Sequence, residues 1–311
     1  MTGVFSHPAF DGHERVLHWS DRATGLRAIV AIHRIRNGRA VGGCRARDFA
    51  SDADALTDVL RLSRGMTYKT ALAGLPYGGA KAVILGRPTR DALRAFGRAV
   101  DSLGGTYVTA EDVGIGQADL AVMKAETPWV LGADDVGGVA APFTALGVLH
   151  AIRGALQHLG TGLPGLTVAV QGTGAVGTRL CGLLRDAGAR LVVADVDAAA
   201  AAAVPGAQVV DPRTIHAVEA DVLAPCALGG TLNAGTIPEI RARVVAVAAN
   251  NQLATPEDDA RLAGRGITYV PDFLASAGGV TNGVSELDGY DRADVEEIGR
   301  ASCRERVFRT V

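Results

Sequence analysis

Residues 165–197, GLTVAVQGTGAVGTRLCGLLRDAGARLVVADVD, restrict the fold of this chain more than any other stretch. An apolar run, LTVAV, leads into Gly172-Thr173-Gly174-Ala175-Val176-Gly177. The segment RLCGLL leads out, and a second apolar run, RLVVAD, ends on Asp195, 23 residues after Gly172. The order is strand, tight turn, helix, strand. In a chain with 40 glycines a GxGxxG carries little weight alone, and the βαβ context gives it meaning. The first glycine makes the turn, the second lets backbone approach a pyrophosphate, and the third lets helix and strand pack closely. Free N–H groups and the dipole at the helix N-terminus attract the phosphates. Asp195 can accept hydrogen bonds from ribose hydroxyls and would repel a 2′-phosphate, so NAD is expected rather than NADP. Asp197 is the rival for that role, and a purely structural βαβ turn is the bland alternative.

The rest of the chain repeats this alternation. LRAIVAIHRI (26–35), GGAKAVILG (78–86) and TYVTAEDVG (106–114) read as strands. A helix capped by Ser51 or Asp52 and one capped by Thr89 separate them. GADDVGGVAAP (132–142) reads as a hinge, and PFTALGVLHAIRGALQHLG (142–160) as a helix with Pro first and Gly last. Later strands are DVLAPC (221–226), VVAVAAN (244–250) and ITYVPDF (267–273). Such alternation implies an α/β chain with parallel sheet and helices on both faces. The expected domains are 1–141, 142–285 and a terminal segment, 286–311.

Composition narrows the function classes. The chain is 48% hydrophobic and 21% charged with a net charge of −2, which suits a large packed core and argues against nucleic acid or an anionic membrane as partner. No apolar run approaches the ~18 residues of a membrane span, and the N-terminus lacks the pattern of a secretory signal. Cys44, Cys181, Cys226 and Cys303 show no metal-ligand spacing, so reduced thiols in a cytoplasmic protein without a bound metal are expected.

Lysine usage is more pointed. Of 31 basic residues three are lysine: Lys69, Lys81 and Lys124. Two of them lie in GMTYKTALAGLPYGGAK (65–81), among small and apolar residues. Arginine keeps its charge at any working pH, whereas a desolvated lysine, or one beside another cation, gives up its proton. Two lysines in one pocket can divide the work, one holding an anionic group and the other acting as a base. Snorkelling lysines at a strand edge are the alternative. Glu111 and Asp112 end a strand, where a carboxylate can pass a proton, pair with lysine or cap the chain.

These stretches resemble the Glu/Leu/Phe/Val amino-acid dehydrogenases, the branched-chain and aromatic members more than the glutamate enzymes. The resemblance rests on GGCR (42–45), GMTYKTALAGLPYGGAKAVI (65–84), YVTAEDVG (107–114), PFTALGV (142–148), GTGAVG, CALGGTLNAGTI (226–237), ANNQL (249–253) and PDFLASAGGVTNG (271–283). It implies an N-terminal α/β substrate and oligomerisation domain, a Rossmann doubly wound NAD-binding domain, an active-site cleft between them, and a homo-oligomer. By this resemblance Lys69 binds the substrate α-carboxylate, Lys81 activates water and Asp112 shuttles protons. Gly42, Gly43, Met66, Val280 and Gly283 would line the substrate site with Val41 and Ala110. Thr144, Cys226, Ala227 and Asn250 would join the glycine turn and Asp195 at the cofactor, with Asn250 and Asn251 also reaching substrate. The implied reaction is reversible oxidative deamination of an apolar L-amino acid to a 2-oxo acid and ammonia. Two further expectations concern Lys81 and the pocket. The charge of Lys69 would help depress Lys81, and glycine at 283 would deepen the pocket toward Phe or Trp. No cation is placed for a second substrate carboxylate, which disfavours glutamate. GGVAAP (137–142) lacks polar residues expected there.

The terminal segment breaks the pattern. EIGRASCRERV (297–307) has no apolar periodicity and reads like a translated sequencing adapter, in which case the natural chain would continue further. A divergent natural tail is the alternative. The rival functional readings are a dinucleotide-binding protein impaired by truncation, a glutamate-type enzyme, and an unrelated Rossmann oxidoreductase. Only an amino-acid dehydrogenase needs Lys69, Lys81 and Asp112 together.

Overall fold

The computed structural model describes residues 3–133 and 140–289. They gather into two compact units, residues 3–133 with 280–289, and residues 140–279.

The first unit contains β1 (Arg15–Asp21), β2 (Leu26–Arg34), β3 (Ala40–Val41), β4 (Cys44–Arg47), α1 (Asp52–Leu72), β5 (Gly78–Leu85), α2 (Arg90–Asp101), β6 (Tyr107–Val108) and α3 (Gln117–Lys124). Its sheet runs β1-β2-β5-β3-β6, with β4 pairing farther along β5. Strands β2 and β5 are apolar and buried along most of their length because both faces are covered. Ile29, Ala31 and Val83 pack with Ala55, Val59 and Leu60 of α1. Ala28, Val30, Ile32, Ala82 and Ile84 pack with Leu93 and Phe96 of α2. The two-residue period of a strand therefore puts Lys81, which has the parity of Gly79 and Val83, on the α1 face. The helix comes very near there, since a Cβ on Gly79 would stand 2.0 Å from the Thr67 backbone nitrogen. Ser51 caps α1 by accepting from the Asp54 N–H at 3.1 Å, and Thr89 caps α2 by accepting from Ala92 at 3.2 Å.

This sheet is mixed, not wholly parallel as the alternation implies. β2 pairs antiparallel with both β1 and β5, while β3 and β4 run parallel to β5. The cause is RVLHWSD, a half-exposed edge strand joined to β2 by a short turn, which forces antiparallel pairing. The expected strand 106–114 shortens to Tyr107–Val108, because the chain turns back at Asp112, whose carbonyl accepts from the Ile115 N–H at 2.9 Å.

The second unit contains α4 (Ala141–His158), β7 (Thr167–Gln171), α5 (Ala175–Asp186), β8 (Arg190–Ala194), α6 (Ala198–Ala202), β9 (Gln208–Val209), β10 (Val222–Pro225), β11 (Val244–Ala246), α7 (Glu257–Gly264), β12 (Thr268–Val270) and α8 (Asp272–Ala275). Its strands are all parallel, in the order β9-β8-β7-β10-β11-β12. The chain winds outward from β7, returns, and winds the other way from β10. That is the doubly wound arrangement with its reversal between β7 and β10.

The last helix, α9 (Gly278–Asp288), falls largely with the first unit, so the second unit ends at Gly279 where the sequence suggests 285. Glu286, at the start of the expected tail, is helical and its carboxylate accepts from the Gly132 N–H at 3.0 Å. Residues 134–139 of the expected hinge, and residues 290–311 with Cys303, lie outside the described residues. Among the described residues no helix is long and apolar enough to cross a membrane.

Candidate active site

Gly42 and Gly43 interrupt the line of chain formed by β3 and β4. Backbone packing requires them: a Cβ on Gly42 would lie 1.7 Å from the Ala80 carbonyl oxygen, and one on Gly43 2.3 Å from that of Glu111. The same closeness gathers site residues. The Met66 side chain stands 3.3 Å from the Gly42 Cβ position, and the Asp112 side chain 3.2 Å from that of Gly43. Tyr107, fully buried, donates to the Gly42 carbonyl at 2.8 Å and so fixes this loop.

Lys81 is 4% exposed, and its Nζ lies 3.3 Å from Asp112 Oδ1. The other carboxylate oxygen receives Arg45 Nε at 2.6 Å, and Arg45 Nη1 reaches Asp58 Oδ2 at 3.1 Å. A row of alternating charge results: Asp58, Arg45, Asp112, Lys81. Burial lowers the Lys81 ammonium, and Arg45 lowers it further against the pull of Asp112. Burial alone would raise Asp112, but the charges and hydrogen bonds of Lys81 and Arg45 prevail and hold its carboxyl at about 2. From sequence Lys69 is the cation expected to depress Lys81; the structure adds a second cation, Arg45, that does so. Lys69 is buried on α1, one turn after Met66 and on the same face. Gly283 on α9 faces Leu131, 4.0 Å from its Cβ position, and Val280 lies one turn earlier. Val41 ends β3, and Ala110 follows Thr109 in the loop that carries Glu111 and Asp112.

Arg45 and Asp58 are what sequence reasoning missed. Arg45 is one of 28 arginines and lies 67 residues from its partner Asp112, so nothing local marks it beyond its place after Gly42-Gly43.

In the second unit the glycine turn closes the carboxyl end of β7. Gly172 has φ +96°, and a Cβ there would meet Ala227 backbone nitrogen at 2.9 Å. A Cβ on Gly177 would lie 1.9 Å from the Gly172 carbonyl oxygen and 3.4 Å from Cys226 Cβ. Gly174, by contrast, has open space around it. The turn thus packs tightly against β10 at the topological reversal while leaving one side clear for a phosphate. These residues fit a dinucleotide, with the Ala175 and Val176 end of α5 offering its N–H groups. Asp195 accepts from the Thr173 N–H at 2.6 Å and the Asp197 N–H at 2.9 Å. Burial would raise Asp195, but these hydrogen bonds keep it lowered and therefore ionised. Asp197 is engaged as the cap of α6, accepting from Ala199 at 2.9 Å. Thr144 sits in the first turn of α4, its hydroxyl donating to the Ala140 carbonyl at 3.1 Å. Asn250 follows β11, where its carbonyl oxygen lies 2.3 Å from a Cβ built on Gly229, and Asn251 adopts φ +55°.

A doubly wound unit with an open glycine turn and a buried lysine–carboxylate pair are the parts that a nicotinamide-dependent oxidoreductase requires. Comparison with known proteins narrows this. Residues 13–129 match the Glu/Leu/Phe/Val dehydrogenase dimerisation domain, and residues 194–293 match the Glutamate/Leucine/Phenylalanine/Valine dehydrogenase domain. Leucine dehydrogenase of Geobacillus stearothermophilus is 44% identical over 301 residues, covering 93% of this chain and 82% of that protein. Valine dehydrogenase of Streptomyces coelicolor is 44% identical, covering 92% and 82%. The crystal structure of L-tryptophan dehydrogenase from Nostoc punctiforme superposes with a TM-score of 0.77 at 42% identity, covering 95% of this chain and 88% of that one. The chain belongs to the Glu/Leu/Phe/Val dehydrogenase family and is an amino-acid dehydrogenase, catalysing oxidative deamination.

Proposed function

We propose that the chain deaminates an apolar L-amino acid with NAD as oxidant, Lys81 serving as the base. The observation that carries this is the burial of Lys81 beside Asp112 at 3.3 Å, an environment that lowers a lysine without removing it from hydrogen-bonding reach. Amino acid, water and oxidised cofactor give 2-oxo acid, ammonia, reduced cofactor and a proton. A bound nicotinamide supplies the hydride acceptor for Cα. Lys69 holds the α-carboxylate by charge. Neutral Lys81 takes a proton from the water that adds to the imine carbon. Asp112 faces the substrate nitrogen as a hydrogen-bond acceptor. When Lys81 is neutral one of the two cations holding Asp112 down is gone, so the two groups titrate as a pair and a proton can pass between them.

Preference for NAD over NADP rests on Asp195, ionised at the end of β8, with Val196 and Asp197 following and no basic residue beside it. Preference for an apolar substrate rests on Val41, Ala110, Val280 and Gly283. Lys124, the remaining lysine, is turned to the Pro128 and Val130 carbonyls at 3.4 and 3.0 Å, which disfavours glutamate. A homo-oligomer in the cytoplasm fits the dimerisation-domain match and the reduced thiols.

The test is NADH formation from a panel of L-amino acids by wild type and Lys81→Ala. Loss of at least about a thousandfold in kcat is expected for the variant, in line with removal of a general base. Equal rates for the two proteins would sink the mechanism, and turnover confined to glutamate would sink the substrate class.

A further inference from the structure

We infer that Arg45 and Asp58 act as a positioning pair that sets how readily Lys81 gives up its proton, Asp58 tempering the arginine and the arginine acting through Asp112. This deepens the reading of Lys81 as the base and rests on it.

The geometry is a closed row. Arg45 leaves β4 two residues after Gly43, with its side chain 11% exposed. Its Nε meets Asp112 Oδ2 at 2.6 Å and its Nη1 meets both Asp58 oxygens, at 3.3 and 3.1 Å. Asp58 projects from α1, the helix that carries Met66 and Lys69. Arg47 Nη2 lies 3.8 Å from Asp58 and is half-exposed, so it adds little to the buried balance. The charged groups that act on Lys81 are Arg45 from β4, Asp58 from α1 and Asp112 from the loop after β6. Cys44 of β4 feels the charge of Lys81, and Tyr107 interacts with Cys44 and Asp112. Lys69 lies farther along α1, and Glu111 precedes Asp112. α3 brings Asp119 toward Cys44. Burial pushes the Cys44 thiol and the Tyr107 phenol up, so both stay neutral.

Four charges of alternating sign sum to zero, which makes a buried network tolerable. The same row gives two opposed handles on Lys81. Without Arg45, the two carboxylates act on the ammonium with no guanidinium to oppose them, and it holds its proton more tightly. Without the Asp58 charge, an untempered guanidinium faces it, and the proton leaves more easily. The direction of each influence agrees with this: Asp112 and Asp58 favour protonated Lys81, and Arg45 opposes it.

The experiment is the pH dependence of kcat/KM for oxidative deamination, followed along the limb where activity rises with pH. Arg45→Met is expected to move this limb up by roughly one pH unit, and Asp58→Asn to move it down by a similar amount. Arg45→Lys, which keeps a cation, should restore a limb near that of wild type. A merely structural role would lower kcat without displacing the limb. NADH binding, measured by fluorescence, checks that each variant is folded; should Arg45→Met not bind, the Asp58→Asn limb decides alone. Limbs that stay in place, or that move the same way in both variants, overturn the inference while leaving Lys81 as base. Activity in Lys81→Ala overturns the base assignment itself, and the inference with it.

Discussion

At position 283 the absence of a side chain leaves Leu131 4.0 Å from where a Cβ would stand, an ordinary contact distance. A larger residue can therefore be accommodated by the fold and would take volume from whatever lies beyond. Gly283→Val is expected to lower kcat/KM for phenylalanine or tryptophan by about tenfold or more relative to valine, since each methylene in an apolar pocket is worth ~1–3 kcal/mol. The measurement is the ratio of kcat/KM values across the panel. Equal losses for large and small substrates would show that Gly283 does not shape the pocket. At this scale the sequence is uneven as a guide. Lys69 and Lys81 stand out as candidates because lysine is rare here and sits among small residues, and the structure brings Asp112, at the end of an expected strand, to Lys81. Arg45 does not stand out, because its meaning arises from contacts made across 67 residues to Asp112 and 13 to Asp58.

Among elements, the turn between β7 and α5 is the clearest case of a motif whose positions differ in purpose. Gly177 is needed by packing, its Cβ position lying 1.9 Å from the Gly172 carbonyl oxygen, whereas Gly174 faces open space. Gly177→Ala is therefore expected to lower the melting temperature of the free protein. Gly174→Ala is expected to leave it within about a degree and to weaken NADH binding at least about tenfold, because the methyl occupies the side a phosphate would approach. Thermal melts and fluorescence titration separate the two. A lowered melting temperature for Gly174→Ala, or unchanged binding, would contradict this division. The motif could be read from sequence because strand, turn, helix and strand are contiguous and each is fixed by local pattern. The first sheet could not be read as well. β3 and β6 are two residues long, and β1 alternates at a half-exposed edge, so their pairing is decided by chain reversal and by backbone approach at Gly42 and Gly43.

Across the whole molecule, acid should destabilise the protein in two stages with different owners. Histidines fasten the start of the chain and β2 to α1. His7 lies 3.2 Å from the Thr57 hydroxyl, His13 lies 3.0 Å from the Leu60 carbonyl, and His33 lies 2.9 Å from the Thr67 hydroxyl. His13 Nδ1 accepts from the Asp11 N–H at 3.2 Å, so its proton sits on Nε2 and donates to Leu60. A second proton has no place there, and burial lowers His13 from its ordinary 6.5 to about 4. Burial lowers His33 as well. A histidine depressed in the folded state binds its proton first in the unfolded chain. The stability it protects is whole above pH 6.5 and is lost as pH falls toward 4. Asp112 follows. Held at about 2 against its ordinary 3.8, it contributes stability that is whole above 3.8 and lost as pH falls toward 2. Denaturant melts from neutral pH downward should therefore show stability declining before Asp112 titrates. His13→Gln keeps a donor near the Leu60 carbonyl but cannot titrate, so its stability should fall less steeply between pH 6.5 and 4. Parallel declines in wild type and variant over that interval would mean that His13 is not what the acid attacks, and the first stage would pass to His33, for which His33→Gln is the corresponding measurement.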